Sequence, residues 1–294
     1  MLNIYEQERK NKNQSFLIIT LFVIFITLSV WLISISFDLP LTIAVYALAL
    51  SLLSSLGAYN YGDKIVLSMH RAILVTKKDY FNYYTVTQNI SMVKKIPMPK
   101  IYVMKSNAMN AFATGKDPKN SSICITTGLL EKLNRTQLEA VIAHELSHIQ
   151  NYDSRLFVIV ALLVGSLSIL VNLGTRYSIF NNRSSDRKDN HPIIAIIGLL
   201  LIIFAPIIAK LIQLAISRKR EYLADAMAVK STKQPSGLIE ALNIISQDKN
   251  KFEYASTSTI PLYISNPFKK EKMANLFSTH PPIEDRIKVL SKML

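Results

Sequence analysis

Four long apolar stretches without a charged residue set the pattern of the chain: residues 16–37, 40–61, 156–174 and 192–209, of 22, 22, 19 and 18 residues. A helix needs roughly 17 to 25 apolar residues to cross the hydrocarbon of a bilayer, so each meets the length requirement. None shows the polar stripe at helical period that a helix on the surface of a soluble core carries. The pattern therefore predicts two membrane hairpins, formed by the first and second runs and by the third and fourth, with Pro206 kinking the last. The first run is longer than the apolar part of a secretory signal and has no small-residue cleavage site, which makes it a retained anchor.

The polar segments alternate differently. Lys100–Met104 reads as a short strand after the Pro97-x-Pro99 breaker and Ser122–Thr126 as a second, with Gly115-Lys-Asp-Pro118 as the turn between them. A helix is expected from Thr136, an N-cap with Glu139 three residues on, through Gln150. Arg218–Lys230 continues as helix, and residues 235–294 are amphipathic and mostly helical, broken at Asn266-Pro267 and His280-Pro-Pro282. These boundaries divide the chain into an N-terminal hairpin (1–61), a first catalytic segment (62–155), a second hairpin (156–216) and a second catalytic segment (217–294).

The net charge of +14 would suggest a nucleic-acid partner in a soluble protein. Its placement argues otherwise. Lys and Arg flank the apolar runs at 9–12, 64–78 and 218–220, where they orient helices and meet anionic headgroups, and no nucleic-acid recognition motif accompanies them. The short link between the first two runs lacks Lys and Arg while both flanks carry them, which puts both ends of that hairpin on the cytoplasmic side. The second hairpin disagrees, because its loop holds Arg176, Arg183, Arg187 and Lys188; this leaves a spanning and a re-entrant or interfacial hairpin as alternatives. The single Cys124 excludes an internal disulfide and a cysteine metal site.

The chemistry lies in Ala143-His-Glu-Leu-Ser-His148. On a helix, His144 and His148 leave the same face one turn apart, so both imidazoles can meet one metal ion. Glu145 points about 100° away, beyond the ligand shell yet within reach of a water there as general base. Neutral imidazoles suit zinc, and a catalytic zinc keeps three protein ligands and one open position. The third ligand must come from elsewhere. If the second hairpin leaves and re-enters the same face, it returns Glu221 and Asp225 to the histidine helix, four residues apart on one helical face. Glu221 is then a ligand and Asp225 a hydrogen-bond acceptor for a ligating histidine; alternatively both are solvated acids paired with Arg218 or Arg220.

Taken together, the apolar N-terminal hairpin, Asn110-Ala-Phe-Ala-Thr-Gly115, Thr126-Thr-Gly-Leu-Leu130, the His144–His148 motif with Asn151 and Asp153, Ser217–Asp225, and Ser278-Thr-His-Pro-Pro282 with Arg286 resemble the HtpX membrane metallopeptidases, relatives of the type I CAAX prenyl proteases. The resemblance covers nearly the whole chain. It implies Glu221 as third ligand of one Zn2+ per chain, a cytoplasmic active site in the cell membrane, and a role in membrane-protein quality control under stress. It also implies that Asn110, Ala111, Phe112 and Ala113 form an edge strand that binds extended substrate through main-chain hydrogen bonds. His280 either donates to the oxyanion of the tetrahedral intermediate or caps the helix that follows. His70 and His191 have no partner motif and are read as structural.

The expectation is a mainly α-helical membrane protein with a small β-sheet: four transmembrane helices in two hairpins and a cytoplasmic zincin-type metallopeptidase domain. Its partners are polypeptides, chiefly misfolded membrane proteins, and the lipid bilayer, with no nucleic acid. A receptor that cleaves a single repressor is expected to carry an extracellular sensor, for which these residues leave no room. An idle scaffold would have lost Glu145 or a ligand, and a prenyl-protein protease is expected to have more membrane helices.

Overall fold

A computed structural model describes residues 4–36, 40–166, 218–255, 257–265 and 281–294. The first two apolar runs lie in two long helices, α1 (Ile4–Ser36) and α2 (Thr42–Met69), which pack side by side. Several of their hydroxyls fold back onto the backbone, as Thr27 Oγ1 does on the Val23 carbonyl at 2.8 Å and Ser34 Oγ on the Val30 carbonyl at 2.9 Å, which satisfies these groups within an apolar helix. One face of α1, with Ile18, Phe22 and Ile26, is buried against the helix at 153–166, named α6 below. Elsewhere α1 exposes Phe16, and α2 exposes Tyr46, Leu50 and Leu53. Among the described residues one helical segment, Arg9–Trp31, is long and apolar enough to cross a membrane, with mean hydropathy 2.2. Of the four expected spans, the third is described only through residue 166, within α6, and the fourth lies outside the described residues, as do its basic loop, His191 and His280.

A four-stranded sheet follows, of β1 (Ile73–Leu74), β2 (Lys100–Met104), β3 (Ala111–Asp117) and β4 (Asn120–Thr126), in the order β1-β2-β4-β3. β2 and β4 run parallel, with Lys100 opposite Ser122 and Val103 opposite Ile125; β3 and β4 form an antiparallel hairpin. The expected turn is displaced. Gly115 and Asp117 belong to β3, β4 starts two residues before Ser122, and the reversal is at Pro118-Lys119. Asp117 closes it by accepting from the backbone N–H groups of Lys119 and Asn120 at 2.9 and 2.8 Å. Gly115 has φ of 135°, and a Cβ there would stand 2.4 Å from the Asn120 carbonyl oxygen, so the register shift beside it requires glycine.

The helix α3 (Phe81–Lys94) covers the sheet, and Thr126 caps the short α4 (Thr127–Lys132). The central helix α5 (Arg135–Gln150) begins with a reciprocal capping box between Asn134 and Gln137, each side chain bonded to the other's backbone N–H at 3.0 Å. The expected start at Thr136 with Glu139 is thus two residues late; Asn134 has the extended backbone an N-cap needs, whereas Thr136 is already helical. The chain turns through Asn151 and Tyr152, the latter at φ of 61°, and continues into α6. After the undescribed stretch come α7 (Arg218–Thr232), α8 (Pro235–Ser246), a 3-10 turn (Thr257–Leu262) and α9 (Ile283–Ser291). They pack with α5 and the sheet around a second apolar core that includes Ile123, Val141, Leu146, Leu242 and Leu290. Cys124 is buried as a free thiol.

Candidate metal centre and active site

α5 is buried along nearly its whole length, enclosed by the sheet, α3, α7 and α8. A helix so covered has no solvated face, so its polar side chains require partners inside the protein. His144 and His148 find one in α7, which brings in Glu221. The ligand atoms of these three buried residues all lie within 4.8 Å of one another. The two Nε2 atoms are 3.2 Å apart, and they stand 3.8 Å (His144) and 3.6 Å (His148) from the Glu221 oxygens. Ligands placed tetrahedrally about 2.0–2.1 Å from one zinc ion are about 3.3 Å from each other, so the triangle has the right size.

Each imidazole is oriented from behind. His144 Nδ1 lies 2.9 Å from Asp225 Oδ1, and His148 Nδ1 lies 3.2 Å from Asp153 Oδ2. A carboxylate on Nδ1 holds the proton there and leaves the Nε2 lone pair pointing into the triangle, which is the tautomer a metal requires. Asp225 stands behind His144 from α7. The role of Asp153, five residues past α5's second histidine at the start of α6, is visible only here. Donor chemistry, spacing and tautomers all fit a divalent zinc ion.

Arg286 of α9 completes the surroundings. Its guanidinium is buried, donates from Nε and Nη2 to the two Asp225 oxygens at 2.9 and 2.6 Å and from Nη1 to the Ile264 carbonyl at 3.3 Å, and lies 3.5 Å from Glu221 Oε2. This fork fixes Asp225, which in turn fixes His144. Burial and the neighbouring Arg286 hold His144 neutral, its pKa lowered to about 4 against the pull of Asp225. Burial would do the same to His148, but the hydrogen bond to Asp153 and the charges of Glu221, Asp153 and Glu145 outweigh it and raise that pKa to about 9. Glu145 is raised to about 7, first by burial, with Glu221 adding to it and His148 and Arg286 opposing. A carboxyl group poised near neutrality can both take and return a proton.

β3 is the edge strand of the sheet next to α5, and the backbone N–H of Ala113 donates to the Glu145 carboxylate. The strand is partly engaged already. Asn110 bonds Thr126 and the Ser265 carbonyl, and the Ala111 carbonyl accepts from Ile264 N–H at 3.1 Å. Phe112 is fully buried beside His70, with ring centroids 4.9 Å apart, so only main-chain groups of this segment can serve an incoming peptide. His70 itself bridges the Val66 carbonyl and the Tyr263 hydroxyl, each at 2.7 Å, in keeping with a structural role. His280 falls outside the described residues.

Residues 82–294 match the sequence profile of Peptidase family M48. Similar curated proteins are named Protease HtpX homolog. That of Dictyoglomus turgidum is 39% identical over 289 residues, covering 98% of this chain and 94% of the relative. That of Streptococcus equi subsp. equi is 41% identical over 255 residues, with 85% of this chain covered and 86% of the relative. That of Lactobacillus acidophilus is 38% identical, covering 99% of this chain and 100% of the relative. Among solved structures, the crystal structure of S. mikatae Ste24p aligns with a TM-score of 0.48 at 19% identity, covering 91% of this chain and 62% of that chain.

Proposed function

This chain belongs to peptidase family M48 and is a metalloprotease, and we propose that His144, His148 and Glu221 hold one zinc ion beside which Glu145 acts as general base in peptide-bond hydrolysis. The observation that carries the reading is the convergence of two Nε2 lone pairs and a carboxylate from two helices, with the Glu145 carboxyl buried on the same helix one residue from a ligand. When bound, zinc supplies Lewis-acid polarisation of the scissile carbonyl and lowers the pKa of the attacking water. Glu145 takes that water's proton and delivers it to the leaving amine. Asp225 and Asp153 hold the two imidazoles in the metal-binding tautomer, and Arg286 holds Asp225. Main-chain groups of β3 next to Glu145 align an extended substrate as an added strand, which gives affinity with little side-chain selectivity.

The substrates proposed are unfolded or extended segments of membrane proteins, and the role is membrane-protein quality control in the cell membrane, with the active site on the cytoplasmic side. The apolar segment Arg9–Trp31 and the apolar side chains exposed on α1 and α2 support a bilayer setting, and the distribution of Lys and Arg around this hairpin supports the orientation. Purified detergent-solubilised protein, wild type beside Glu145→Gln, tests the mechanism through zinc content and cleavage of casein. One zinc per chain in both, with cleavage reduced by about 10²-fold or more in the variant, is the expected result. Equal cleavage by both removes Glu145 as the base, and absence of zinc from both removes the metal site.

A further inference from the structure

We propose that Asn11, on the N-terminal helix α1, is a positioning residue for His148, so that this helix is a working part of the metal site as well as an anchor. The inference rests on the assignment of His148 as a ligand. Asn11 is fully buried, and its Nδ2 donates both hydrogens: to the Asn151 carbonyl at 2.7 Å and to Asp153 Oδ1 at 2.7 Å. The other oxygen of Asp153 is the one that faces His148 Nδ1 at 3.2 Å. A carboxylate bonded through one oxygen alone can turn about its Cβ–Cγ bond. Asn11 restrains that rotation and aims the second oxygen at the imidazole, which sets both ring orientation and tautomer.

The same helix face reaches the other half of the site. Gln14, one turn on from Asn11, accepts from Arg220 Nη2, and Arg220 Nε lies 3.3 Å from Asp153 Oδ1. Arg220 is adjacent in sequence to Glu221. α1 thus grips a carboxylate that orients one ligand and a guanidinium next to another, with contacts that bridge 142 and 206 residues of sequence. Beyond Gln14 the face turns apolar at Ile18, Phe22 and Ile26 and docks on α6, which begins at Asp153. Apolar burial would suffice to hold the helix in place. A carboxamide with both donors spent at the root of the metal site is what orientation of Asp153 calls for.

The test uses the full-length protein in detergent and reads zinc affinity by competition with a chromogenic chelator, alongside kcat, KM and thermal stability. Asn11→Leu keeps the size and removes the donors. It is expected to bind zinc about 3–10-fold more weakly, at the lower end of what loss of a group behind a ligating histidine causes, and to lose kcat with little change in KM. Thr27→Val, on the same helix away from the site, is expected to match wild type in zinc affinity. In an Asp153→Asn background the Asn11 effect on affinity should vanish, since its route runs through that carboxylate. If Asn11→Leu yields no folded protein, Asn11→Ser, which keeps one donor, replaces it and should show a smaller loss of affinity. Wild-type affinity in these variants with only a lower melting temperature would overturn the inference, as would an undiminished loss on top of Asp153→Asn. Wild-type protein that takes up no zinc would instead overturn the ligand assignment beneath it.

Discussion

Replacing Arg286 by alanine should expose how much of the fold depends on neutralising the acids around the two histidines. Its buried guanidinium makes a two-pronged bond to Asp225, bonds the Ile264 carbonyl and approaches Glu221. Without it, Asp225 keeps its burial but loses its main cationic partner, and Glu221 loses a neighbouring charge. Removing one member of a buried ion pair costs about 3–5 kcal/mol. At roughly 2–4 °C per kcal/mol for a domain of this size, the metal-free protein should melt about 6–20 °C lower. Zinc brings positive charge to Glu221 and settles His144 against Asp225, so the deficit should shrink in the loaded protein. Arg286→Lys keeps the charge but cannot span both Asp225 oxygens, and should fall between, about 1.5–3 kcal/mol below wild type. Thermal unfolding can be followed with a thiol-reactive dye, because the single cysteine, Cys124, is fully buried until the sheet opens. A metal-free Arg286→Ala protein melting within about 2 °C of wild type, or an equal loss with and without saturating zinc, would refute the reasoning.

Three further outcomes are expected. Lys94 is buried against Ser147, its pKa lowered to about 7 by burial, while an unfolded lysine keeps its proton to about pH 10.4; between these values the unfolded chain binds more protons and stability rises with pH. Lys94→Met removes a buried ammonium, so its melting temperature should gain on wild type more at pH 6 than at pH 9, and an equal gain at both would show that charge burial is not the cause. Because His148 titrates at about 9 and His144 at about 4, zinc binding at pH 8 should expel about one proton, from His148. Calorimetry in buffers of different ionisation heat measures it, and zero release would count against His148 as a ligand. A Cβ on Gly128 would stand 2.2 Å from the Asn107 carbonyl oxygen, whereas one on Gly57 meets open space. Gly128→Ala should therefore lose about 1–3 kcal/mol of stability in thermal unfolding, and Gly57→Ala should lose none.

Much of the molecule was readable in the sequence because it depends on local period. The two leading apolar runs became α1 and α2, since a helix is the one regular structure in which an apolar segment pairs its backbone groups within itself. β2 emerged at its expected bounds from a breaker followed by alternating residues. Where a boundary turned on a cap or a turn, the reading slipped by two residues: Asn134 rather than Thr136 starts α5, and Asp117 rather than Gly115 closes the hairpin. At the helix start Asn134 and Thr136 offered similar capping chemistry two residues apart; at the hairpin Gly115 meets a positive φ inside the strand while the Asp117 carboxylate closes the turn.

The site divides along the same line. Spacing alone put His144 and His148 on one helical turn with Glu145 beside them, because four residues is close to one turn of helix whatever surrounds it. Glu221 and Asp225 were proposed from the sequence as a helical pair whose arrival at the histidines depended on the path between; the structure brings both to the triangle. What no local pattern could supply was the set of groups that hold these residues still. Arg286 reaches Asp225 across 61 residues of sequence and Asn11 reaches Asp153 across 142. The sequence by itself determined which side chains could do metal chemistry. Tertiary structure alone decided their tautomers, charges and supports, because a hydrogen bond between distant segments exists only once the core has packed them within 3 Å.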